Sequence, residues 1–368
     1  MTGIPSLPAQ GLIQLPPLPE SPLVSVLVSS YNRENFVGEA VRSVLRQTYR
    51  NLEIIVCDDG SSDRSVDVLR ALTESDSRLT VFAQANAGQC AALNAAFARS
   101  RGQIACLLDS DDLFEPDKLE NVVRKFQSDS RFGTVMNAIR LIDGNGNSIR
   151  EIAVKHEGYL GPIMFILRKG HIATQSSGLS FRREILDAIL PLPEELRVAA
   201  DGAISGPAIN LAATGTISAV LSCWRLHGAN FDGAMSHQSR LTGEHFARTL
   251  EHMDFVLKYT SDFVSKRTGR PYDVSGFRPA IEYRLAMGIL RRDRATVRQA
   301  SLALKNAFPR RAPDYTRARY LFWQALAHLP FMLSKPLMQF AYWVNKMRLT
   351  RAADRPAGRK QKAPALQT

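Results

Sequence analysis

The chain is short of cysteine, lacks any long apolar run, and lacks a basic start followed by an apolar block. Its four cysteines in 368 residues (Cys57, Cys90, Cys106 and Cys223) are scattered, with no C-x-x-C pair. That excludes a disulfide framework and a zinc site built on paired cysteines. Two of them, Cys57 and Cys106, sit in apolar, strand-like runs, as buried thiols of a reducing, cytoplasmic compartment do. Nowhere do 18 apolar residues run together, so no membrane-spanning helix is expected. The first residues are Pro-rich (Pro5, Pro8, Pro16, Pro17, Pro19 and Pro22) and do not read as a secretory signal. Residues 1–21 read instead as a flexible, partly polyproline leader.

With 45% hydrophobic residues the chain can build a large core, either one domain with an appendage or two domains. The net charge of +12 is unevenly spread. Residues 240–368 carry 25 Lys and Arg against 9 Asp and Glu, leaving 22 against 26 in the first 239. A basic C-terminal third of this kind suits an anionic membrane, a polyanionic substrate or nucleic acid.

The most unusual stretch is Ile104-Ala105-Cys106-Leu107-Leu108-Asp109-Ser110-Asp111-Asp112, an apolar run ending in three carboxylates within four residues. An unbroken apolar run is how a strand covered on both faces reads, and open α/β sheets bind ligands beyond the carboxyl ends of their strands. Three acids crowded there either raise one another's pKa or gather a cation, and oxygen donors favour Mg²⁺ or Mn²⁺. The plainer alternative is an acidic cap for a helix that starts near Pro116.

The pattern before that stretch repeats. Strands are expected at 23–29, 52–57, 79–83 and 103–108, with helices over 35–47, around Val66–Leu72, and from Asn86 to Phe97. Three strand–helix units predict a parallel, doubly wound sheet with right-handed connections. Asp58-Asp59-Gly60-Ser61-Ser62-Asp63 closes the second strand, where a carboxylate suits a ribose or a base N–H, and Asp63 suits the start of the next helix. After the acidic loop come a helix over 116–126 with Pro116 in its first turn, and a strand over 134–142. An Asp143-Gly144-Asn145-Gly146 hairpin turn follows. Residues 159–168 read as helical, 178–181 as a short strand, and 199–211 as a helix opening at Ala199-Ala200-Asp201-Gly202. A last strand pair is expected over 216–224, and helices from about 237 onward.

Taken together, Val24 to Arg33, Ser43 to Tyr49, Leu52 to Asp63, Asn86-Ala87-Gly88-Gln89, Leu108 to Asp112 and Pro116-Asp117-Lys118-Leu119 closely resemble the family-2 glycosyltransferases. These are inverting enzymes of the GT-A nucleotide-diphospho-sugar transferase fold, an α/β fold with a Rossmann-like, mostly parallel sheet flanked by helices. The resemblance is strong over 22–125, looser over 126–230 and absent beyond 235. It implies a catalytic domain over 22–235, with a nucleotide-sugar half (22–125) and an acceptor half (126–235). A helical basic extension (236–350) and a disordered basic tail (351–368) would follow.

The resemblance also implies roles. Ser30, Tyr31 and Arg33 match the loop that holds the nucleotide, with Tyr31 flanking the base and Arg33 offsetting phosphate charge. Asp59 matches the carboxylate that reads the base. Asp109 and Asp111 match the Asp-x-Asp motif: Asp109 near the ribose and also a metal candidate, Asp111 holding a divalent cation (Mn²⁺ or Mg²⁺) on the donor diphosphate, and Asp112 supporting them from behind. Asp201 matches the catalytic base, although Ala200 stands where the family usually has Glu; its plainer reading is a helix-capping aspartate. His227, in Trp224-Arg225-Leu226-His227-Gly228-Ala229-Asn230, resembles the Arg-x-His-x-x-Asn segment that completes a metal or diphosphate site. Ser177 would contact donor sugar or acceptor.

The expected partners are a nucleotide-diphospho-sugar donor, UDP favoured, and a glycan or lipid-linked acceptor. The Gln-x-x-Arg-Trp signature of processive synthases is absent, so single addition is expected. The aromatic stretch 320–344 reads either as an interfacial membrane element or, by preference, as a helical cap packed on the catalytic domain, with the basic tail touching the inner face of a membrane. Two rivals remain at this level: a non-catalytic nucleotide-sugar or glycan binder of the same fold, and, ranked last, a nucleic-acid-binding module.

Overall fold

The computed structural model describes residues 12–154, 175–227, 243–307 and 314–338. Strands β1 (Val24–Ser30), β2 (Leu52–Asp58), β3 (Leu79–Ala83) and β4 (Ile104–Asp109) alternate with helices α1 (Val37–Leu45), α2 (Ser65–Thr73) and α3 (Gln89–Arg99). The order β3-β2-β1-β4 is parallel throughout, as three strand–helix units demand. Both faces of β1 and β2 are buried, which is why their sequences are continuously apolar. Register then makes a rim: Ser30 pairs with Asp58, and Ser29 with Asp109. Three neighbouring strands finish level, so the loops that follow them leave the sheet together.

The second half is mixed. It comprises β5 (Leu113–Phe114), α4 (Lys118–Ser128), β6 (Phe132–Ile142), β7 (Ser148–Ile152), β8 (Leu179–Arg182), α5 (Arg183–Ile189), α6 (Ala200–Leu211) and β9 (Ala213–Arg225). The sheet continues β4-β8-β6-β9-β5, with β7 on β6. β8 runs antiparallel to β4 and β6, while β9 runs parallel to β6. The expected hairpin joins β6 to β7, with the Asp143 carboxylate accepting from the backbone N–H groups of Asn145 and Asn147.

Three sequence expectations shift. α4 begins at Lys118, so Pro116 precedes the helix and is not in its first turn. Residues 216–224 are not a strand pair but part of the single 13-residue strand β9, which borders β6 on one side and β5 on the other. Residues 12–21 are not free of the domain. Ile13 N–H donates to the Leu211 carbonyl, Arg182 donates to the Pro16 carbonyl, and Leu15 and Leu18 pack on the core. The helix expected at 159–168 and the tail 351–368 lie outside the described residues.

Alternation along each strand divides the core in two. Val24, Val26 and Val28 pack with α1, α2 and α4 on one face, while Leu27, Ile55 and Leu107 pack with α3, α5 and α6 on the other. The C-terminal region adds α7 (Gly243–Thr268), α8 (Arg278–Arg291), α9 (Arg294–Asn306), α10 (Asp314–His328) and a helical turn over 331–338. α8, α9, α10 and Met338 bury their own cluster around Ile281, Leu285, Leu304 and Leu326. The described part of the aromatic stretch therefore packs on α8 and α9 and not, as expected, on the catalytic domain, while Leu321, Met332, Leu333 and Leu337 stay exposed. None of the described helices is long and apolar enough to cross a membrane.

α7 docks on α6, and glycines make the approach possible. A Cβ on Gly206 would stand 2.4 Å from Thr260 Oγ1, and one on Gly202 would meet Val256 at 3.4 Å. Gly206→Val should therefore destabilise the fold by about 1–3 kcal/mol through overpacking, seen as a lower urea midpoint at unchanged m-value. An unchanged midpoint would mean that α7 is free to move off α6 without cost.

Candidate active site

The loops at the sheet rim hold one another in place. Asn32 takes φ 52° after β1, a left-handed conformation that Asn tolerates. Its N–H donates to Ser61 Oγ (2.8 Å) and its Oδ1 accepts from Ser62 N–H (2.8 Å). Asp58 accepts from both the N–H and the hydroxyl of Ser61. Asp63, expected to cap α2, stands one residue before its N-cap Arg64, and accepts from Ser65 N–H and from Glu34 N–H.

Asp59 is buried, and three donors meet its carboxylate: Gln84 Nε2 (2.8 Å), Ala87 N–H (2.9 Å) and Gly88 N–H (2.7 Å). It therefore orders the loop before α3 while lining the cleft. Gly88 sits at φ 98°, and a Cβ there would fall 2.6 Å from the Arg197 carbonyl. The next N–H, of Gln89, donates to that carbonyl at 2.7 Å. Glycine is what lets the segment before α6 lie against the rim.

The three aspartates after β4 have separate surroundings. Gln89 Nε2 donates to Asp109 Oδ1 (3.2 Å). Asp111 Oδ2 takes Arg33 Nε (3.0 Å) and pairs with His227 Nε2 (2.9 Å), whose ring stacks on Phe36. Asp112 is fully buried behind them, accepting from Ser177 Oγ (2.6 Å) and Arg225 N–H (2.8 Å). The Arg225 side chain donates to the Asp111 carbonyl (2.9 Å). Ser177, expected at the donor sugar or acceptor, is instead buried beneath the loop, where its hydroxyl also accepts from Asp109 N–H (3.1 Å).

Beneath Ser177 lies Lys118, buried, with Nζ donating to Asn137 Oδ1 (2.9 Å), the Ser177 carbonyl (2.6 Å) and Ser222 Oγ (2.9 Å). Burial pushes its ammonium down to about 8. The short β5 pairs antiparallel with the end of β9, and this brings His227 to Asp111 across 116 residues.

The electrostatics follow from this crowding. Burial, and then the like charges of Asp111 and Asp201, push Asp109 up to about 7. Burial also opposes the charge on Asp111, but His227 and Arg33 outweigh it and hold the carboxyl below its usual range. Burial and the neighbouring aspartates lift Asp112 well above that range.

A cleft of about 870 Å³ opens over the rim. Ser30, Tyr31, Arg33, Asp59, Asp109, Asp111 and Asp201 all line it, whereas His227 meets it through Asp111. The Ser30 hydroxyl is buried with no hydrogen-bond partner among the described residues. Asp201 stands in the first turn of α6, its Oδ1 accepting from Gly202 N–H (2.7 Å). Just before it, Ala199 is held at φ 63°, a conformation costly for a residue with a Cβ and common at functional sites.

Sequence reading gave no role to Gln89, Arg197 or the α7 residues Met253, Val256 and Leu257, all of which line the cleft. Gln89 lay inside a motif already noted, but nothing in the local pattern of α7 announced its position.

The carboxylate oxygens of Asp109 and Asp111 are of the kind that suits Mn²⁺ or Mg²⁺, and a cation would relieve the repulsion around Asp109. Among the described residues, no three His, Cys, Asp or Glu groups are grouped to hold a metal by themselves.

A carboxyl whose folded pKa is raised favours stability below its unfolded pKa and loses that advantage as pH climbs through the folded value. With Asp109 at about 7, metal-free protein should lose stability between pH 4 and 7. In EDTA at pH 8, Asp109→Asn should melt higher than the wild type, by about 1–3 kcal/mol, and the gain should vanish near pH 4. Equal melting at pH 8 would count against the crowding described above.

Comparison with known proteins agrees with this geometry. A family model described as Glycosyl transferase family 2 matches residues 25–190. An uncharacterized glycosyltransferase of Nostoc sp. is 35% identical over 246 residues, which is 66% of this chain and 75% of that protein. The chondroitin synthase of Pasteurella multocida is 34% identical over 128 residues, covering 35% of this chain and only 13% of the synthase. Among solved structures, S. aureus TarS 1-349 in complex with UDP-GlcNAc is similar with a TM-score of 0.51 at 17% identity, over 83% of this chain and 90% of that one. The mannosyltransferase PcManGT from Pyrobaculum calidifontis, in complex with GDP-Man and Mn²⁺, also gives 0.51, at 20% identity over 92% and 88%. These two share the GT-A fold, a curled α/β sheet with flanking helices. Because it covers three quarters of a relative 35% identical to it, the chain belongs to glycosyl transferase family 2 and is a glycosyltransferase.

Proposed function

We propose that the enzyme moves one sugar from a nucleoside-diphosphate donor, UDP favoured, to a hydroxyl of a glycan or lipid-linked glycan, with inversion at the anomeric carbon. The observation that carries this reading is the convergence of Asp59, Asp109, Asp111 and Asp201 on one cleft. Donors of the same class accompany the structural neighbours, UDP-GlcNAc in one and GDP-Man with Mn²⁺ in the other.

In this reading Tyr31, nearly half exposed at the cleft, lies along the base. A carboxylate has about four acceptor positions, and three donors already meet Asp59, so its contact with the base is a single hydrogen bond. Arg33 turns from Asp111 toward the diphosphate. A divalent cation would be held by Asp111 with Asp109 and His227, and it would supply positive charge against the charge building on the leaving diphosphate.

Asp201 accepts the proton of the acceptor hydroxyl as its oxygen forms a bond to the anomeric carbon. The bond from that carbon to the diphosphate oxygen breaks on the opposite side, and the diphosphate leaves with the electron pair. Asp201, low in the first turn of α6 and facing the cleft, has the position such a base needs, and its charge already acts on Asp109.

A panel of UDP-, GDP- and dTDP-sugars, assayed for nucleotide release with Mn²⁺ and with EDTA, tests the donor and the metal. Release is expected with one nucleotide class and lost in EDTA; metal-independent release would remove the cation from the reading. Asp111→Asn should abolish metal-dependent release. Asp201→Asn should lower turnover by about 10²–10⁴-fold with donor affinity kept; unchanged turnover would disqualify Asp201 as the base.

A further inference from the structure

The cleft changes character along its length. At the rim it is lined by hydrogen-bonding and charged groups, among them Ser30, Asn32, Arg33, Asp59 and Asp111. On the α6–α7 side of Asp201 the walls are Ile209, Met253, Val256, Leu257 and Phe277. On α7 the lining positions 249, 252, 253, 256, 257 and 260 recur at helical spacing, so one face of that helix makes the wall. Met253 and Val256 are only half-buried although they belong to the apolar stripe, because they face the open cleft. Opposite them α6 presents Gly202 and Gly206, whose missing side chains let α7 lie close against it at the edge of the cleft.

We propose that this chamber seats an apolar group, an alkyl chain or an aryl ring, carried by the acceptor close to the hydroxyl that receives the sugar. The inference rests on the reading of Asp201 as the acceptor-side base. A bare saccharide would bring a hydroxyl on nearly every carbon, and each needs a partner once water is excluded. Beyond Asp201 the chamber offers few partners: Ser205, Thr249, His252 and Thr260 are its polar side chains. An apolar group asks for none and gains from burial. Each buried methylene tightens binding about 3–4-fold. Apart from Ile209 the wall comes from the C-terminal extension, so acceptor choice belongs to a part of the chain that the family match, residues 25–190, does not reach.

The test titrates octyl, phenyl and methyl β-glucoside, the first below its micelle concentration, into the full chain with UDP and Mn²⁺, by calorimetry. The octyl or phenyl compound should bind at least about 10-fold tighter than methyl. A preference for octyl marks a lipid chain, and a preference for phenyl an aryl aglycone; either supports the chamber. Val256→Asp should erase the preference, and Met253→Ser should reduce it, while UDP titration of each variant reports whether it is folded. If Val256→Asp loses UDP binding as well, Met253→Ser decides. Equal affinity for all three glucosides, or a preference that survives in folded variants, overturns the proposal. Failure of the wild type to bind UDP would instead overturn the nucleotide-sugar reading and leave the glucoside comparison to be judged separately.

Discussion

Three aspartates within four residues at the end of a buried strand cannot all stay ionised unless something answers their charge. The rest of the site is arranged around that constraint. Asp111 is answered by Arg33 and His227, and its charge is kept. Asp112 is turned away from the cleft into hydrogen bonds from Ser177 and Arg225. Asp109, between them and exposed to Asp201 as well, is left with a raised pKa. The residual repulsion therefore sits on Asp109, at the wall of the cleft.

Separating the charges requires groups from distant parts of the chain, and the sheet brings them. β1, β2 and β4 end level because they pair in register, so Arg33 comes within reach of Asp111. β9, zipped to β5 at its far end, delivers Arg225 and His227 to the same loop. Lys118 and Ser177 fix the loop from below. The rim of the cleft is thus a set of short loops locked to one another, whereas its far wall is apolar and comes largely from one face of α7.

Much of this was legible in advance. Continuous apolar runs marked β1, β2 and β4 because both faces of the sheet are covered, and turn residues marked the hairpin at 143–146. Asp109 and Asp111 stood out because three acids crowd the end of one apolar run, whereas Asp59, in a common turn, and Asp201, at a helix start where acids are ordinary, drew their roles from the family resemblance. Ser177 was misread, since a serine beside a short strand looks the same whether it faces a ligand or the underside of a loop. Residues 216–224 were misread as two strands, since a bulged strand breaks the simple alternation by which length is judged. Lys118 had no local signal: a lysine at the start of an amphipathic helix is ordinarily solvated, and only the convergence of three acceptors from three other elements buries it.

By itself the sequence determined the α/β class, the parallel half of the sheet, the acidic rim and the family, because each depends on patterns within about ten residues or on motifs in fixed order. Only the tertiary structure decided that His227 reaches Asp111, that Asp112 faces inward, and that α7 closes the cleft beside Asp201. Those outcomes turn on which distant elements pack together. That choice is made by register and by small residues such as Gly88 and Gly206 allowing close approach, and neither can be read from a local pattern.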